Sequence, residues 1–420
     1  MKRVVTAIVV GLVLAAMIVP VSAAKKVTIN FWQAGGDSQT APVMRQIIKE
    51  FEAANPDISV NFQAVPWGED PHVKFQAAIV GGTIADVFTI GDPFQHVLAA
   101  SGALEPLDKY MSKEMKRDFY PQFLERCSVD GKVVALPWFG DVRAMLYRKD
   151  LFKAAGVPEP NPSWTWDEFL TYAKKLTRDT DGDGVIDQYG FGTSGRYVSQ
   201  YQVFLVQNGV NFIDEEKGIA TANTPAAIEA MQFYVDLVRK HKVTPPGITT
   251  IALQDIQKMF AEGKVAMFFD ASDTAVRFSK EPALAGKLGV ALLPHNKAHG
   301  AFGGSDVIVM SSQSRNKAAA WKFLSFMVSR EPMLAYCKAC GFSPVLKSAS
   351  TDPYVKADPI RKVYTEQMEI GGFFYFKHPK ASSMTPVIRA EVQQAMEGTK
   401  SVQAAMNDMQ KALEDLLKSK

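Results

Sequence analysis

This sequence has few cysteines, a small net charge and few long apolar stretches. Three cysteines among 420 residues are too few, and odd in number, for a fold held by disulfides. A net charge of +3 provides no strongly basic surface of the kind that binds nucleic acid. The sequence has no G-x-S-x-G, H-E-x-x-H or Gly-Lys phosphate loop, the signatures of common hydrolases, zinc proteases and nucleotide-binding proteins. What remains is the composition of an ordinary globular protein, long enough for two domains.

The one long apolar run lies at the start of the chain. Lys2 and Arg3 precede apolar residues 4–19, and residues 20–23 end with small side chains. This pattern predicts a signal peptide, residues 1–23, cleaved after Ala23. The run is short for a membrane-spanning helix, which needs about 20 residues, so an uncleaved anchor is the weaker alternative. We therefore expect a periplasmic protein that is exported and soluble after cleavage.

The cysteines do not form a recognisable metal or redox set. Cys337 and Cys340 form a C-x-x-C, but no second Cys or His pair completes a zinc site. A redox C-x-x-C usually opens a helix, whereas this one precedes Gly341 and a helix end. We interpret the thiols as structural, with one disulfide as an option in an oxidising compartment. The pairing among Cys127, Cys337 and Cys340 stays open.

Strands and helices alternate along most of the chain. Alternating apolar residues predict strands at 27–31 and 58–64, with a helix at about 42–54 between them, which is one βαβ unit of a parallel sheet. The alternation continues and predicts an α/β protein of two lobes. In open α/β sheets, ligands bind beyond the C-terminal ends of strands. The loops that qualify begin at Gln33, Gly91, Trp138, Asp270 and Gly303.

The stretch 131–147, GKVVALPWFGDVRAMLY, joins the two halves of this pattern. The apolar run 133–136 stops at Pro137, and alternation resumes at residue 142, so the stretch is typical of a crossing between packed units. Trp138, Asp141 and Arg143 at such a crossing would suit a polar ligand between two lobes. A hairpin with a bulge is an equally good interpretation of these residues alone.

The loop 179–190 has the spacing of a calcium-binding loop. Carboxylates at alternate positions converge on one hard cation, and Gly184 permits the sharp turn. The usual Glu at position twelve is replaced by Gly190. We predict one structural calcium ion, and a solvated acidic turn is the alternative. The predicted ligands are Asp179, Asp181, Asp183, Val185 and Asp187.

Five segments, each weak alone, together resemble one known family. They are MRQIIKEFEAANPDISVNF (44–62), WTWDEFLTYAKKLT (164–177), DGDGVIDQYGF (181–191), MFAEGKVAMFFD (259–270) and FGGSDVIVMSSQSRNKAAAWKFLSFMVS (302–329). In this order, behind an export signal, they resemble the extracellular solute-binding proteins of family 1, the carbohydrate-binding subunits of ABC importers that include maltose-binding protein.

The resemblance implies an architecture and a function. The fold would be the two-lobe periplasmic binding protein type II fold, each lobe a mostly parallel sheet flanked by helices, joined by a multi-strand hinge. Lobe one would hold residues 25–140 plus 296–345, and lobe two residues 141–295 plus 346–420. Such a monomer binds a mono- or oligosaccharide between its lobes, closes by hinge motion and delivers the sugar to membrane permeases without chemistry on it.

The resemblance and the strand-end loops together identify candidate sugar contacts. Aromatic faces cover the apolar faces of a sugar ring, while Asp and Arg bond its hydroxyls. After the strand KVAMFF the family often has a Gly and then a Trp, but here Asp270, Ala271, Ser272 and Asp273 follow, which implies a more polar subsite. The candidates are Gln33, Gly36, Asp37, Trp67, Asp92, Trp138, Asp141, Arg143, Arg196, Tyr197, Asp270, Ser272, Asp273, Gly303, Gly304 and Ser305.

Two other functions are compatible with the residues. The same fold could bind a phosphodiester, a peptide or a polyamine, and Arg143, Arg196 and Arg277 would suit an anionic solute. A secreted glycan-active enzyme could use two of Asp141, Asp270 and Asp273 as its carboxylate pair. The resemblance argues against the enzyme.

Overall fold

The computed structural model describes residues 26–36, 40–66, 71–370, 378 and 380–419. The predicted signal peptide and the candidate contacts Asp37 and Trp67 lie outside the described residues. No helix in the described part of the chain is both long and apolar enough to span a bilayer.

The described residues form thirteen strands and eighteen α-helices. The strands are β1 Val27–Ala34, β2 Ile58–Val65, β3 Val87–Gly91, β4 Ser128–Val129, β5 Lys132–Val133, β6 Leu136–Val142, β7 Ala144–Arg148, β8 Tyr189–Phe191, β9 Ile213–Asp214, β10 Ile219–Ala220, β11 Val265–Asp270, β12 Leu288–Ala291 and β13 Gly303–Met310. The helices are α1 Thr40–Ala54, α2 Pro71–Val80, α3 Phe94–Ala100, α4 Lys113–Asp118, α5 Pro121–Arg126, α6 Lys149–Ala154, α7 Trp166–Leu176, α8 Ser199–Gln207, α9 Pro225–Arg239, α10 Leu253–Ala261, α11 Ser272–Ser279, α12 Lys317–Met327, α13 Arg330–Cys340, α14 Lys347–Ser350, α15 Pro353–Ala357, α16 Pro359–Ile370, α17 Ala381–Glu397 and α18 Val402–Lys418.

Local signals explain several of these boundaries. Thr165 and Glu168 form a capping box at the start of α7, where each side chain accepts a hydrogen bond from the other's backbone N–H. Gly341 ends α13 with a φ of 91°, a left-handed conformation that favours glycine. Asp130 and Gly131 both have positive φ and connect β4 to β5 in a two-residue hairpin turn, which requires that conformation.

Two main sheets divide the strands between the lobes. The first-lobe sheet has the order β2-β1-β3-β13-β6, and the second-lobe sheet has the order β12-β7-β11-β8. Only β1, β2 and β3, and the pair β8 and β11, run parallel, while β13 and β7 are antiparallel to both of their neighbours. The mostly parallel sheets expected from the sequence are therefore mixed. The strands next to the connections between the lobes are antiparallel to their neighbours.

The crossing itself differs from the sequence prediction. Pro137 does not end a strand, because β6 continues through it to Val142, and β7 begins at Ala144 in the other sheet. The register of β13 against β6 shifts between Asp306 and Val307, opposite Pro137. Such a bulge accommodates a residue that cannot donate a ladder hydrogen bond. The chain therefore changes lobes at Arg143.

Two apolar clusters stabilise the fold. The larger runs through both lobes and includes Phe31 and Phe51 from the first and Phe169 and Phe268 from the second. The smaller lies on the other face of the first-lobe sheet, around Phe88 and Ile90. β11 is buried at every residue, which explains why its sequence is an almost continuous apolar run. The two sheets are thus rigid supports for the loops at their edges.

Candidate functional site

Four strands of the first-lobe sheet present polar residues at one edge. β1 and β3 run parallel and end there at Ala34 and Gly91, with Gln33 next to the end of β1. β13 starts at the same edge because it is antiparallel to β3, and β6 ends there because it is antiparallel to β13. Gly304 of β13 lies directly opposite Asp141 of β6. Gly303 and Gly304, expected to form a loop, are therefore part of the strand.

Arg143 lies at the centre of the charged groups where the lobes meet. Its guanidinium donates to the Asp141 carboxylate, and its Nε lies 3.8 Å from an oxygen of Asp270, the last residue of β11. It also packs over the Phe302 ring, 5.1 Å from the ring centroid. Burial opposes the charge, but Asp141, Asp270 and Asp273 together raise the pKa of Arg143 above its ordinary value. The guanidinium is therefore held as a cation between the lobes.

The acidic groups around Arg143 are unevenly neutralised. Burial raises the pKa of Asp270, and Arg143 opposes that rise. Burial, followed by the charges of Asp270 and Asp141, raises the pKa of Asp273 to about 7. Burial, followed by the charges of Asp141 and Asp92, raises the pKa of Asp306 well above its ordinary value. These raised pKa values favour the protonated forms, so the carboxyl groups on both sides of the cleft carry less negative charge than exposed carboxylates would.

The sequence reasoning missed Asp306. Only its strand neighbours were assigned to the site, although an acidic residue inside the buried strand SDVIVM was a signal that it faces something polar. Tyr336 of α13 was also missed, and its hydroxyl accepts from the Gln33 side chain at 2.9 Å. Nothing near Tyr336 in the sequence marks it, because this contact forms only in the tertiary structure.

Asp92 has a structural partner for each carboxylate oxygen. One oxygen accepts from Arg126 at 2.5 Å, and the other accepts from Gln95 at 2.8 Å. Gly36 likewise serves packing, since a Cβ there would lie 2.7 Å from the Ala64 Cβ. A Cβ on Gly304 would meet Asp92 at an ordinary 3.6 Å, so that position tolerates a side chain sterically. Ligand contacts at these three residues stay predictions.

Trp138 lies in the core. Its side chain is 1% exposed and packs at a tilt against Tyr336, with the ring centroids 4.3 Å apart, and against Phe139 at 4.9 Å. Its Nε1 has no acceptor among the described residues. A tryptophan in this position cannot offer a free flat face as the floor of a sugar site, because its neighbours cover the ring. Packing in the core describes this side chain better.

The other candidates are placed as follows. Ser272 is buried at the start of α11, and Asp273 beside it is partly exposed. A Cβ on Gly341 would lie 2.9 Å from the Asp273 Cα, so the end of α13 packs against the start of α11. Arg196 and Tyr197 are exposed on the turn before α8, and no described contact joins them to Arg143 or its acidic partners.

The comparisons with known proteins agree with this two-lobe arrangement. Residues 36–333 match the family of bacterial extracellular solute-binding proteins. The chain belongs to this family. Its membership confirms the family inferred from the five segments, and confirms a binding protein rather than an enzyme. The same comparisons support the predicted two-lobe fold.

Individual relatives of this solute-binding protein cover most of its length. A sequence from Brucella abortus (strain 2308) is 35% identical over 325 residues, 76% of each chain. The maltotriose-binding protein of Pyrococcus abyssi is 24% identical over 388 residues, 90% of this chain and 79% of its own. A Thermotoga lettingae solute-binding protein, solved with α-D-tagatose, is 25% identical with a TM-score of 0.82, covering 93% of this chain and 100% of its own.

The acidic loop of this solute-binding protein brings three carboxylates together. Oxygen atoms of Asp179, Asp181 and Asp183 lie within 4.8 Å of one another. Asp179 accepts from the N–H groups of Gly182 and Gly184, which lower its pKa and keep it ionised. The Val185 N–H donates to Asp183, and its side chain is exposed. Calcium binding by this loop stays a prediction.

Asp187 does not join the three carboxylates. Its carboxylate instead accepts from the N–H of Thr180 at 3.0 Å and from the Thr180 hydroxyl at 2.6 Å. These bonds close the base of the loop.

If the loop binds calcium, the ion stabilises the native state by mass action. At a hundredfold excess over the dissociation constant, the gain is about 2.7 kcal/mol. We expect a higher melting temperature in calcium than in chelator, and no such difference in the Asp181→Asn variant. Magnesium serves as the control ion. An unchanged melting temperature, together with no heat in calorimetric titration, would leave the solvated turn as the better description.

The cysteines of the solute-binding protein are structural, but the disulfide considered from the sequence is not formed. Cys127, Cys337 and Cys340 are all described residues, and no disulfide joins any two of them. Cys127 lies in the smaller apolar cluster and Cys337 in the larger, so the two thiols occupy separate cores. Burial raises the pKa of both, which keeps them protonated and poorly reactive.

Proposed function

We propose that this protein is the exported solute-binding subunit of a carbohydrate ABC importer. It would lose residues 1–23 on export, work as a soluble monomer in the periplasm, and bind a mono- or oligosaccharide between its lobes. Hinge closure about the segments at Arg143 would enclose the sugar, and the closed form would dock on membrane permease subunits. The names of the maltotriose-binding and tagatose-bound relatives support a sugar as the solute.

The observation that carries the proposal is the set of polar groups from both lobes around Arg143. Asp141 is 29% exposed, and only its Oδ1 has a described donor, so Oδ2 is available to a sugar hydroxyl. Asp306 comes from the first lobe and Asp273 from the second, so a solute between them would contact both lobes. Contact with both lobes is what makes closure depend on the solute.

The proposal is tested by calorimetric titration with a panel of mono- and oligosaccharides. We expect at least one sugar to bind and to be recovered unchanged by chromatography. Asp141→Asn removes a charged acceptor from the cleft and should weaken binding of that sugar by about ten- to a hundredfold. Asp415→Asn is the control, because Asp415 is an exposed residue of α18, and this variant should bind like the wild type.

Three results would argue against the proposal. A cleaved sugar would support the glycan-active enzyme instead. Full affinity in Asp141→Asn would remove that residue from the site. Binding of phosphodiesters or peptides, with no response to any sugar, would retain the fold but replace the ligand.

A further inference from the structure

Helix α16 has a buried face that is mostly polar. Its buried residues are Arg361, Tyr364, Gln367 and Met368, and their spacing places them on one side of the helix. A buried helix face is ordinarily apolar, because burying a polar group without a hydrogen bond costs free energy. The hydrogen bonds of the three polar side chains therefore indicate which parts of the protein α16 holds in place.

Two of these side chains bond the backbone where the chain passes between the lobes. The Arg361 guanidinium donates to the Phe342 carbonyl at 3.1 Å, and the Leu293 N–H donates to the Gln367 side chain at 2.8 Å. Phe342 stacks on Phe139 of β6 in the first-lobe sheet, with 4.1 Å between the ring centroids. Leu293 follows β12 of the second-lobe sheet. α16 is therefore bonded to a segment next to each of the two sheets.

The third side chain, Tyr364, bonds the turn that carries three of the candidate contacts. It is completely buried, and its hydroxyl donates to the carbonyl oxygens of Asp270 and Ala271, each at 3.0 Å. These carbonyls lie where β11 passes into α11, in the turn that carries Asp270, Ser272 and Asp273. A phenylalanine would fill the same space, so the hydroxyl is what distinguishes Tyr364 from an apolar core residue. That hydroxyl fixes the backbone of the turn.

The charged groups of the site act on the Tyr364 hydroxyl. Burial raises the pKa of Tyr364 well above its ordinary value, the charges of Asp270 and Asp273 raise it further, and the charge of Arg143 opposes the rise. The phenol therefore stays protonated near neutral pH, and its O–H remains available to the two carbonyl oxygens. Arg143 lies on the other side of this turn's first residue, with its Nε 3.8 Å from an Asp270 oxygen.

We propose that Tyr364 is a positioning residue for solute binding, which holds the turn from Asp270 to Asp273 in place beside Arg143. This inference rests on the proposed function, because it assigns a role at that same site. Tyr364 is buried behind the turn and acts through it rather than by touching the solute. Because Arg361 and Gln367 anchor α16 next to both sheets, the helix places this turn relative to both lobes. Loss of the hydroxyl lets the turn shift while the aromatic packing is retained.

Tyr364→Phe tests the inference, because it removes the hydroxyl and keeps the ring. We expect this variant to bind the sugar found in the calorimetric panel about three- to tenfold more weakly than the wild type, as for the loss of one hydrogen bond. Tyr234→Phe is the matched control, since Tyr234 is equally buried but its hydroxyl bonds Thr193 at 3.1 Å instead of the turn. It should bind like the wild type. Without sugar, amide hydrogen exchange at residues 270–273 should be faster in Tyr364→Phe than in Tyr234→Phe.

A double-mutant cycle shows whether Tyr364 acts through the turn. Asp270→Asn removes the charge that faces Arg143, so the turn loses its alignment on that arginine whether or not Tyr364 holds it. In this background, Tyr364→Phe should weaken sugar binding by less than about twofold, because residues that act through one contact are not additive. A side chain that only stabilised the fold would give the same factor in both backgrounds. Melting curves show that each variant is folded at the temperature of the titration.

The outcomes separate failure of this inference from failure of the proposed function. Wild-type affinity in Tyr364→Phe overturns the inference and leaves the sugar-binding function standing. The same holds for an equal loss of affinity in Tyr234→Phe, and for an equal factor in the wild-type and Asp270→Asn backgrounds. Faster hydrogen exchange throughout the protein, rather than at residues 270–273, also overturns it. No binding of any sugar by the wild type overturns the proposed function and this inference with it.

Discussion

The Trp138→Ala variant is expected to lose about 3–5 kcal/mol of its free energy of unfolding in the absence of ligand. The side chain is 1% exposed and lies between Tyr336 and Phe139, at the point where β6 carries the chain toward the second lobe. Truncation would leave a cavity bordered by two rings that are themselves buried, so the site has little freedom to collapse. Urea unfolding followed by far-ultraviolet circular dichroism measures the loss.

Trp321→Ala is the matched control. Trp321 is only partly buried and stacks on Tyr110 at 5.2 Å between ring centroids, so its removal should cost clearly less. Trp138→Phe should recover most of the stability, because a ring is retained. Wild-type stability in Trp138→Ala, accompanied by lost sugar affinity, would restore the role of sugar platform that the sequence suggested.

The Arg143→Met variant is expected to lose about 3–5 kcal/mol of folding free energy near neutral pH, because it leaves a buried carboxylate without its cation. Asp270 is 3% exposed, and within the described residues Arg143 is its only ion-pair partner. Gln257 and the Ala271 N–H still donate to Asp270, so two hydrogen bonds from uncharged donors remain. Methionine retains the apolar stem over Phe302 but not the charge.

The loss should depend on pH in a defined direction. Burial already raises the pKa of Asp270, and removal of Arg143 raises it further. A raised folded-state pKa costs stability when pH exceeds the pKa of the unfolded chain, so the variant should be nearest to wild type in acid and fall behind as pH rises toward and through the folded pKa. Melting curves between pH 4 and 8, an interval chosen to span that change, measure this.

A second substitution isolates the cause. Asp270→Asn in the Arg143→Met background removes the charge that was left unpaired, so it should recover part of the stability at high pH and little in acid. Arg143→Lys retains a cation but not the planar fork and should fall between wild type and Arg143→Met. An equal loss at every pH would mean that Arg143 stabilises the fold by packing rather than by its charge.

Helices and turns were predictable because their signals are local. The capping box of α7, the left-handed Gly341 after α13 and the hairpin at Asp130 each depend on residues a few positions apart. The boundaries of β6 and β13 were not predicted. Proline is disfavoured inside a strand, and two glycines are disfavoured at the start of one. Pairing between distant strands overrode those preferences.

The site was predictable only in outline. Strand-end loops indicated Asp141, Arg143, Asp270 and Asp273, and the fold brings their charges together because α/β topology places such ends at one edge of a sheet. Their contact with a solute stays a prediction. Asp306 was missed because it lies inside a strand, and Trp138 was assigned a free face that Tyr336 and Phe139 cover. The sequence alone does not show which side chain packs over an aromatic ring in the folded protein.

By itself, the sequence determined the family, the alternation of strands and helices, and the residue types available at the strand ends. Only the tertiary structure decided which charges are neutralised. Gln33 and Tyr336 bond across 303 positions of the chain, and Arg143 approaches Asp270 only because β7 pairs with β11. Electrostatic pairing depends on distance in space and on burial, and neither can be read from separation along the chain. The grouping of Asp141, Asp270 and Asp273 around Arg143 is therefore a property of the fold.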